Sequence, residues 1–286
     1  MPRKPLVVCG CVAGLLILSC IGLVAHNAQG RGQQRLPQDW PLSIANVLPH
    51  GQPVIPIFES WIPNPNETIL FTFGYINLNS DEALDIPVGP DNFIEPKQFN
   101  GFQPTHFDPA PKEPARFARH QSVFAVTVPK GFKGDVVWAL RVRGQTYSSP
   151  ARATREEYGI EDLESLTEAP VAPRLKFAAS GLTGRGRNAF VAGPVSAPAG
   201  RPVPLRVGIE LLSRPRSTVT WYHHQGPGKV TFDPKEVPIK ADGDVNTTAT
   251  FSQSGDYVVR VTALESLAAL EQHCCYSNGY VKVTVR

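Results

Sequence analysis

Residues 68–77 read TILFTFGYIN and place Ile69, Phe71, Phe73 and Tyr75 at alternate positions. Alternation of aromatic and β-branched residues at period two marks a half-buried strand. The same pattern predicts strands at residues 55–61, where Pro56 interrupts, and at 83–88, 122–128 and 135–143. Residues 89–119, from Gly89 to Arg119, are rich in proline and lack a period, and are expected to form one long loop. Residues 152–168 are dominated by charge, with Tyr158, Ile160 and Leu163 as a short apolar stripe. They predict a linker or a one- to two-turn helix. Later strands are expected at residues 202–209, 217–222, 229–232, 247–251, 256–263 and 279–285, punctuated by turns such as Gln225-Gly226-Pro227-Gly228. Short strands at this spacing predict β-sandwiches.

A different pattern opens the chain. Arg3 and Lys4 precede an uncharged apolar run from Leu6 to Ala25. A basic start followed by such a run is an export signal. Three fates remain open. Ala28-Gln29-Gly30 offers small residues for cleavage; the run is also long enough to span a bilayer uncleaved; and Ile17-Leu18-Ser19-Cys20 is similar to a bacterial lipobox, with Cys20 as the lipid attachment residue. Each fate places the rest of the chain outside the cytoplasm, in the periplasm or at the cell surface, with a membrane contact through the N-terminal segment in two of them.

Composition narrows the class. The 286 residues include 28 prolines and 24 glycines, against 42% hydrophobic residues. So much proline disfavours a helical bundle or a long parallel sheet, while the hydrophobic content suffices for packed cores. The net charge of +3 is too small to imply a nucleic-acid partner. It is unevenly spread: residues 31–168 carry 12 basic and 17 acidic side chains, and residues 169–286 carry 14 and 8. The two halves are therefore opposite in sign, either incidentally or because they dock on each other or head to tail between molecules. At a Debye length of about 8 Å the effect is expected to be weak.

The C-terminal half carries a resemblance. Trp221, then GPGKVTF (residues 226–232), TATFSQSGDYVVRVTA (248–263) and a final KVTV (282–285) are similar to PKD-like or immunoglobulin-like modules of bacterial exported proteins. The resemblance implies a sandwich with Trp221 as the core residue of its third strand. Tyr257 would be the corner tyrosine whose hydroxyl bonds back to the backbone. Val259 stands where an antibody-type domain has its second cysteine. The N-terminal half, with YINLNSDEALDIPVGPDN (75–92) and QPTHF (103–107), resembles exported bacterial proteins to which no activity attaches.

Candidate chemistry is sparse. Cys274 and Cys275 are the only cysteines after Gly30. In an oxidising compartment two thiols do not persist, and no third cysteine is available, which favours a vicinal disulfide that shapes the start of the last strand. An intermolecular bridge, a soft-metal site with His273, or buried thiols are the alternatives. His223-His224 is expected to lie solvent-facing beside its turn. His106, Asp108 and His120 in or beside the proline-rich loop are candidate metal ligands, and Asp242-Gly243-Asp244 reads as a turn. No nucleophile elbow, zincin, P-loop or dinucleotide fingerprint occurs, so no catalytic residue and no cofactor are assigned.

The expectation is an all-β chain of two sandwich domains, immunoglobulin- or PKD-like. The segments are a signal or anchor (1–30), a tether (31–52), a β-rich sandwich (53–151), a linker with a possible short helix (152–173) and a PKD/Ig-like sandwich (174–286). The function expected is that of a non-catalytic envelope module binding a protein or glycan. The alternative is a metal-binding or hydrolytic envelope protein using the 89–119 loop.

Overall fold

A computed structural model describes residues 48–111, 119–153, 158–159, 171–212, 217–264 and 275–286. The export segment with Cys20, the short helix expected within 152–168, and Cys274 lie outside the described residues.

Among the described residues the N-terminal half contains the strands β1 (Val54–Pro63), β2 (Ile69–Asn77), β3 (Leu84–Asp85), β4 (Asn92–Glu95), β5 (His106–Phe107), β6 (His120–Val128), β7 (Val136–Val142) and β8 (Gln145–Ala151). One sheet runs β1-β2-β6, a second runs β4-β7-β8, and β3 pairs with β5. Between the sheets lie Phe58, Phe71, Phe73, Phe107, Phe124 and Trp138. Phe73 stacks on Phe124 with ring centres 5.2 Å apart, and Trp138 meets Phe124 edge-on at 5.0 Å. Offset and edge-to-face pairs of this kind are the favourable geometries for aromatic rings. Strand β2 departs from the expected half-buried pattern, because Leu70, Thr72 and Gly74 on its second face are buried as well.

The stretch expected to be one loop holds β4, a 3-10 turn (Lys97–Phe99) and β5. Its order comes from buried asparagines rather than from hydrophobic period. Asn92 donates through Nδ2 to the carbonyls of Ile86 and Pro104, both at 2.8 Å, and its Oδ1 accepts from Trp138 Nε1 at 3.1 Å. Asn77 Nδ2 donates to the carbonyls of Glu82, Phe107 and Asp108. A proline-rich chain has few amides for a ladder, so side-chain amides satisfy its carbonyls instead.

The C-terminal half follows with β9 (Arg174–Phe177), β10 (Thr183–Gly184), β11 (Phe190–Ala197), β12 (Pro202–Glu210), β13 (Ser217–Gln225), β14 (Val230–Asp233), β15 (Glu236–Ile239), β16 (Gly243–Phe251), β17 (Gly255–Leu264) and β18 (Tyr276–Val285). The sheets run β10-β9-β12-β16-β14 and β11-β18-β17-β13-β15. All their pairings are antiparallel except β11 with β18. The order β9-β12-β16-β14 facing β13-β17-β18 is that of the two immunoglobulin sheets. Trp221 on the third strand of this frame is fully buried between the sheets. Tyr257 donates its hydroxyl to the Gln253 carbonyl at 2.8 Å, the corner bond of that fold. Asp242 and Asp244 are engaged locally, Asp242 with the Leu211 amide and Asp244 with Arg206.

Candidate functional site

Three of the strand irregularities among the described residues bring polar side chains into the interior. Where β1 pairs with β2, Phe58 opposes Phe73 and Ser60 opposes Thr72, so Glu59 is an extra residue. Where β2 pairs with β6, residues 121–123 oppose only Gly74. Where β13 pairs with β17, His223 opposes Val259 and Gln225 opposes Val258, so His224 is extra. A bulge leaves a residue out of the ladder and re-aims its side chain.

The first two irregularities meet across Gly74. Glu59 Oε2 accepts from the Ser122 amide at 2.6 Å and from its hydroxyl at 3.1 Å. Ser122 takes a left-handed φ of 51°. A Cβ on Gly74 would collide with Glu59 Oε1 and the His120 carbonyl, so only glycine leaves room for the carboxyl. Glu59 Oε1 is buried with no hydrogen-bond partner among the described residues. Burial raises the Glu59 pKa to about 7, against the opposing pull of Arg119, the Ser122 bonds and Arg260.

The third irregularity lies at the junction of the two sandwiches. His224 Nε2 donates to the Phe102 carbonyl at 2.8 Å, and the Thr105 amide donates to the His224 carbonyl at 2.8 Å. Gln225 Nε2 donates to the carbonyls of Gly101 and Gln103, and the Gly226 amide donates to Thr105 Oγ1 at 3.1 Å. Gly226, at φ 129°, lies where a Cβ would enter the Tyr257 ring. The Phe102 ring packs against Tyr280 at 4.8 Å and His224 at 5.5 Å. A second clamp is formed by Asn278 Nδ2, which donates to the Ser122 carbonyl at 2.8 Å, and by the Tyr280 hydroxyl, which donates to the Val123 carbonyl at 3.1 Å. Neutral hydrogen bonds and rings, with Lys235 facing Asp108 at 3.6 Å, make this junction.

Beside the first clamp opens a cleft of about 700 Å³ lined from both halves, by Asp85, His106 and Asp108 on one side and His223, Lys229, Lys235, Phe232 and Gln253 on the other. His106 Nδ1 donates to Asp85 Oδ1 at 2.7 Å and Nε2 faces Asp108 Oδ1 at 3.6 Å. Burial disfavours a charge here, but the two carboxylates outweigh it and raise the His106 pKa to about 9, so the ring is a cation. Asp108 is held well below the usual carboxylate range by the His106 bond and by Lys235, in spite of its own burial. The His223 ring stacks on the His106 ring with centres 4.5 Å apart. Burial, then the charge of His106, lowers the His223 pKa to about 4. His224 is driven down to about 3, by burial and then by Arg260.

His223 and His224 are therefore not solvent-facing, as their place before a turn predicts; the bulge and the opposing sandwich bury both. Of the candidate metal ligands, the fold brings His106 and Asp108 together. His120 is turned to the Pro109 carbonyl at 2.8 Å through Nε2 and stacks on Tyr75 at 4.5 Å. Burial lowers its pKa to about 4. His106 Nδ1 is bonded to Asp85 and its Nε2 faces Asp108 at 3.6 Å, and among the described residues no group of three or more His, Cys, Asp and Glu side chains is placed to hold a metal ion. Cys275 is buried with φ 68°. Glu59, Asn92 and Arg260 escaped the sequence reading. Glu59 had one signal, a lone acid inside the apolar run VIPIFESWIP.

No family model matches the chain, and a search of curated proteins finds no match. Solved structures with a similar arrangement include a protein of unknown function from Porphyromonas gingivalis W83, at 9% identity, 81% of this chain, 98% of that one and a TM-score of 0.26. The D00-D0 domain of intimin aligns at 8% identity over 81% of this chain and all of that one, with a TM-score of 0.27. Two tandem Ig domains of titin align at 9% identity over 82% and 99%, with a TM-score of 0.23. At such scores the likenesses carry no weight of their own. The strand order, the buried Trp221 and the Tyr257 corner are what define the C-terminal half as an immunoglobulin-like sandwich.

Proposed function

We propose that the protein is a non-catalytic envelope module, exported by its N-terminal segment, that binds a protein or glycan in the cleft between its two sandwiches. The observation that carries the reading is the cleft itself, which draws its lining from both halves. Sites of this size at domain junctions are where ligands preferentially bind. Its lining combines charged side chains (Asp85, Asp108, Lys229, Lys235) and the polar Thr231, Ser252 and Gln253 with the apolar Val230 and Phe232, a set suited to ligands that present hydroxyl or amide groups beside an apolar face. The basic and apolar N-terminus supports export, and the similarity of the sequence to PKD-like modules of exported bacterial proteins supports the envelope assignment.

The test uses purified residues 31–286 on arrays of bacterial cell-wall glycans and envelope proteins. Binding that is lost in Lys229→Ala and Gln253→Ala supports the reading. Binding that both variants retain overturns it, as does stoichiometric metal in the purified protein that disappears in His106→Ala/His120→Ala. A periplasm-only reporter fused after Arg286 is expected to be active, and activity confined to a cytoplasmic reporter would refute export.

A further inference from the structure

We propose that the junction is an acid-opened latch: protonation of His223 and His224 releases residues 223–226 from residues 101–106, widening the cleft while the second clamp and both sandwiches stay intact. This inference stands whether or not the cleft takes a ligand.

The geometry makes a proton intolerable at both rings. His223 is 6% exposed and neither ring nitrogen has a hydrogen-bond partner among the described residues. Its ring is stacked on that of His106, whose Nδ1 is bonded to Asp85 and whose Nε2 faces Asp108 at 3.6 Å. Those two carboxylates, the Gln225 backbone and the Tyr257 ring, 5.7 Å away, also act on it, and it shares the cleft lining with Lys229 and Lys235. A charge on His223 would thus lie face to face with a cation, its nearest carboxylates already engaged. His224 is 1% exposed, and its Nδ1 is buried without a partner. It faces Phe102 and Tyr280 rings, His223, and Arg260, which is itself buried and lies over the Tyr222 ring at 4.3 Å. No carboxylate is among the groups acting on it.

The same two residues carry the latch. The His224 ring and carbonyl each make a bond across the junction, and Gln225 and Gly226 directly after it make the rest. Opening the clamp exposes both rings to water, where they regain ordinary basicity. The second clamp uses an asparagine amide and a tyrosine hydroxyl acting on carbonyls, none of which ionises in mild acid. It is the hinge on which the first clamp opens. His106 keeps both its carboxylates on its own half in either state, so it does not drive the change. His120 and Glu59 are bonded to Pro109 and Ser122 of the N-terminal half, and Arg260 of the other half acts on both, with Lys235 also acting on His120.

The sign follows from linkage. A histidine held near 4 or 3 when closed and near 6.5 when open favours the open form progressively below pH 6.5. At pH 5 each ring raises the opening constant about 25-fold, and the two together about 500-fold, relative to pH 7. Hydrogen exchange on the full chain reads this directly, after correction for intrinsic exchange. The Thr105 and Gly226 amides, which bond across the junction, are expected to lose protection with a slope of the logarithm of the opening constant against pH approaching two, about 1.5 to 1.8 between pH 6 and 4.5. Amides of the β17–β18 ladder are expected to keep theirs. His224→Gln preserves an Nε2 donor for Phe102 without the titration and is expected to reduce the slope to one. His223→Phe added to it preserves the stack and is expected to abolish the slope. A flat profile in the wild type overturns the proposal, and so does an unchanged slope in His224→Gln. Loss of protection in the β17–β18 ladder at the same pH also overturns it, since the histidines would then act on global unfolding. The wild-type profile decides the matter even where a variant fails to fold.

Discussion

Replacing Glu59 by glutamine is expected to stabilise the protein at neutral and alkaline pH. Glu59 is 6% exposed and enters the N-terminal sandwich only because β1 carries an extra residue there. Its pKa is about 7 when folded and about 4.5 in the open chain. An acid whose folded pKa is raised binds its proton more tightly in the native state. Stability is therefore full below the unfolded value, falls as pH rises between about 4.5 and 7, and stays reduced above. The shift of about 2.5 units corresponds to about 3 kcal/mol at pH 8. Glutamine has the shape of the protonated acid, and its oxygen can still accept from the Ser122 amide and hydroxyl. Glu59→Gln should match the wild type near pH 4.5 and exceed it by about 2–3 kcal/mol at pH 8. For a folded unit of this size that corresponds to a midpoint about 5–10 °C higher. Chemical denaturation of both proteins at pH 4.5, 6, 7 and 8 checks the difference. The competing account is that Arg119 and Arg260 keep Glu59 ionised and make its charge stabilising. That account predicts a Glu59→Gln protein less stable than the wild type at pH 8, and that result would refute the reasoning. Parallel pH profiles for the two proteins would refute it as well.

Two further outcomes are expected. Tyr257→Phe removes the corner bond to the Gln253 carbonyl but keeps the ring packed on Phe251, and should cost about 1 kcal/mol in denaturant unfolding; no loss would mean that the hydroxyl is solvated in both states. Intact-mass measurement of the exported protein without reductant should give a monomer two daltons lighter than the reduced chain, as a Cys274–Cys275 bond requires, whereas two alkylatable thiols or a reducible dimer would exclude that pairing.

The alternation in residues 68–77, 122–128 and 135–143, and the regular turns after residue 200, were enough to read an all-β chain with sandwich halves. Each strand needs a face to bury, and period two reports that face directly. Tyr257 and Trp221 were readable for a related reason: both sit at fixed offsets in a frame that local sequence describes. The loop expected at 89–119 was misread, because its order comes from Asn77 and Asn92 bonding to carbonyls distant in the chain. An asparagine in sequence looks the same whether it caps a turn or is buried. The site was less legible still. Glu59 and His224 are buried because each is the extra residue of a bulge, and a bulge is defined by the register of two strands, not by either one alone. His106 and His223 are 117 positions apart, and only the docking of one sandwich on the other stacks their rings. Composition and period determine which class of fold can bury these residues. The pairing of strands and halves determines which polar groups are buried with them, and it is the loss of water at those groups that moves their proton affinities.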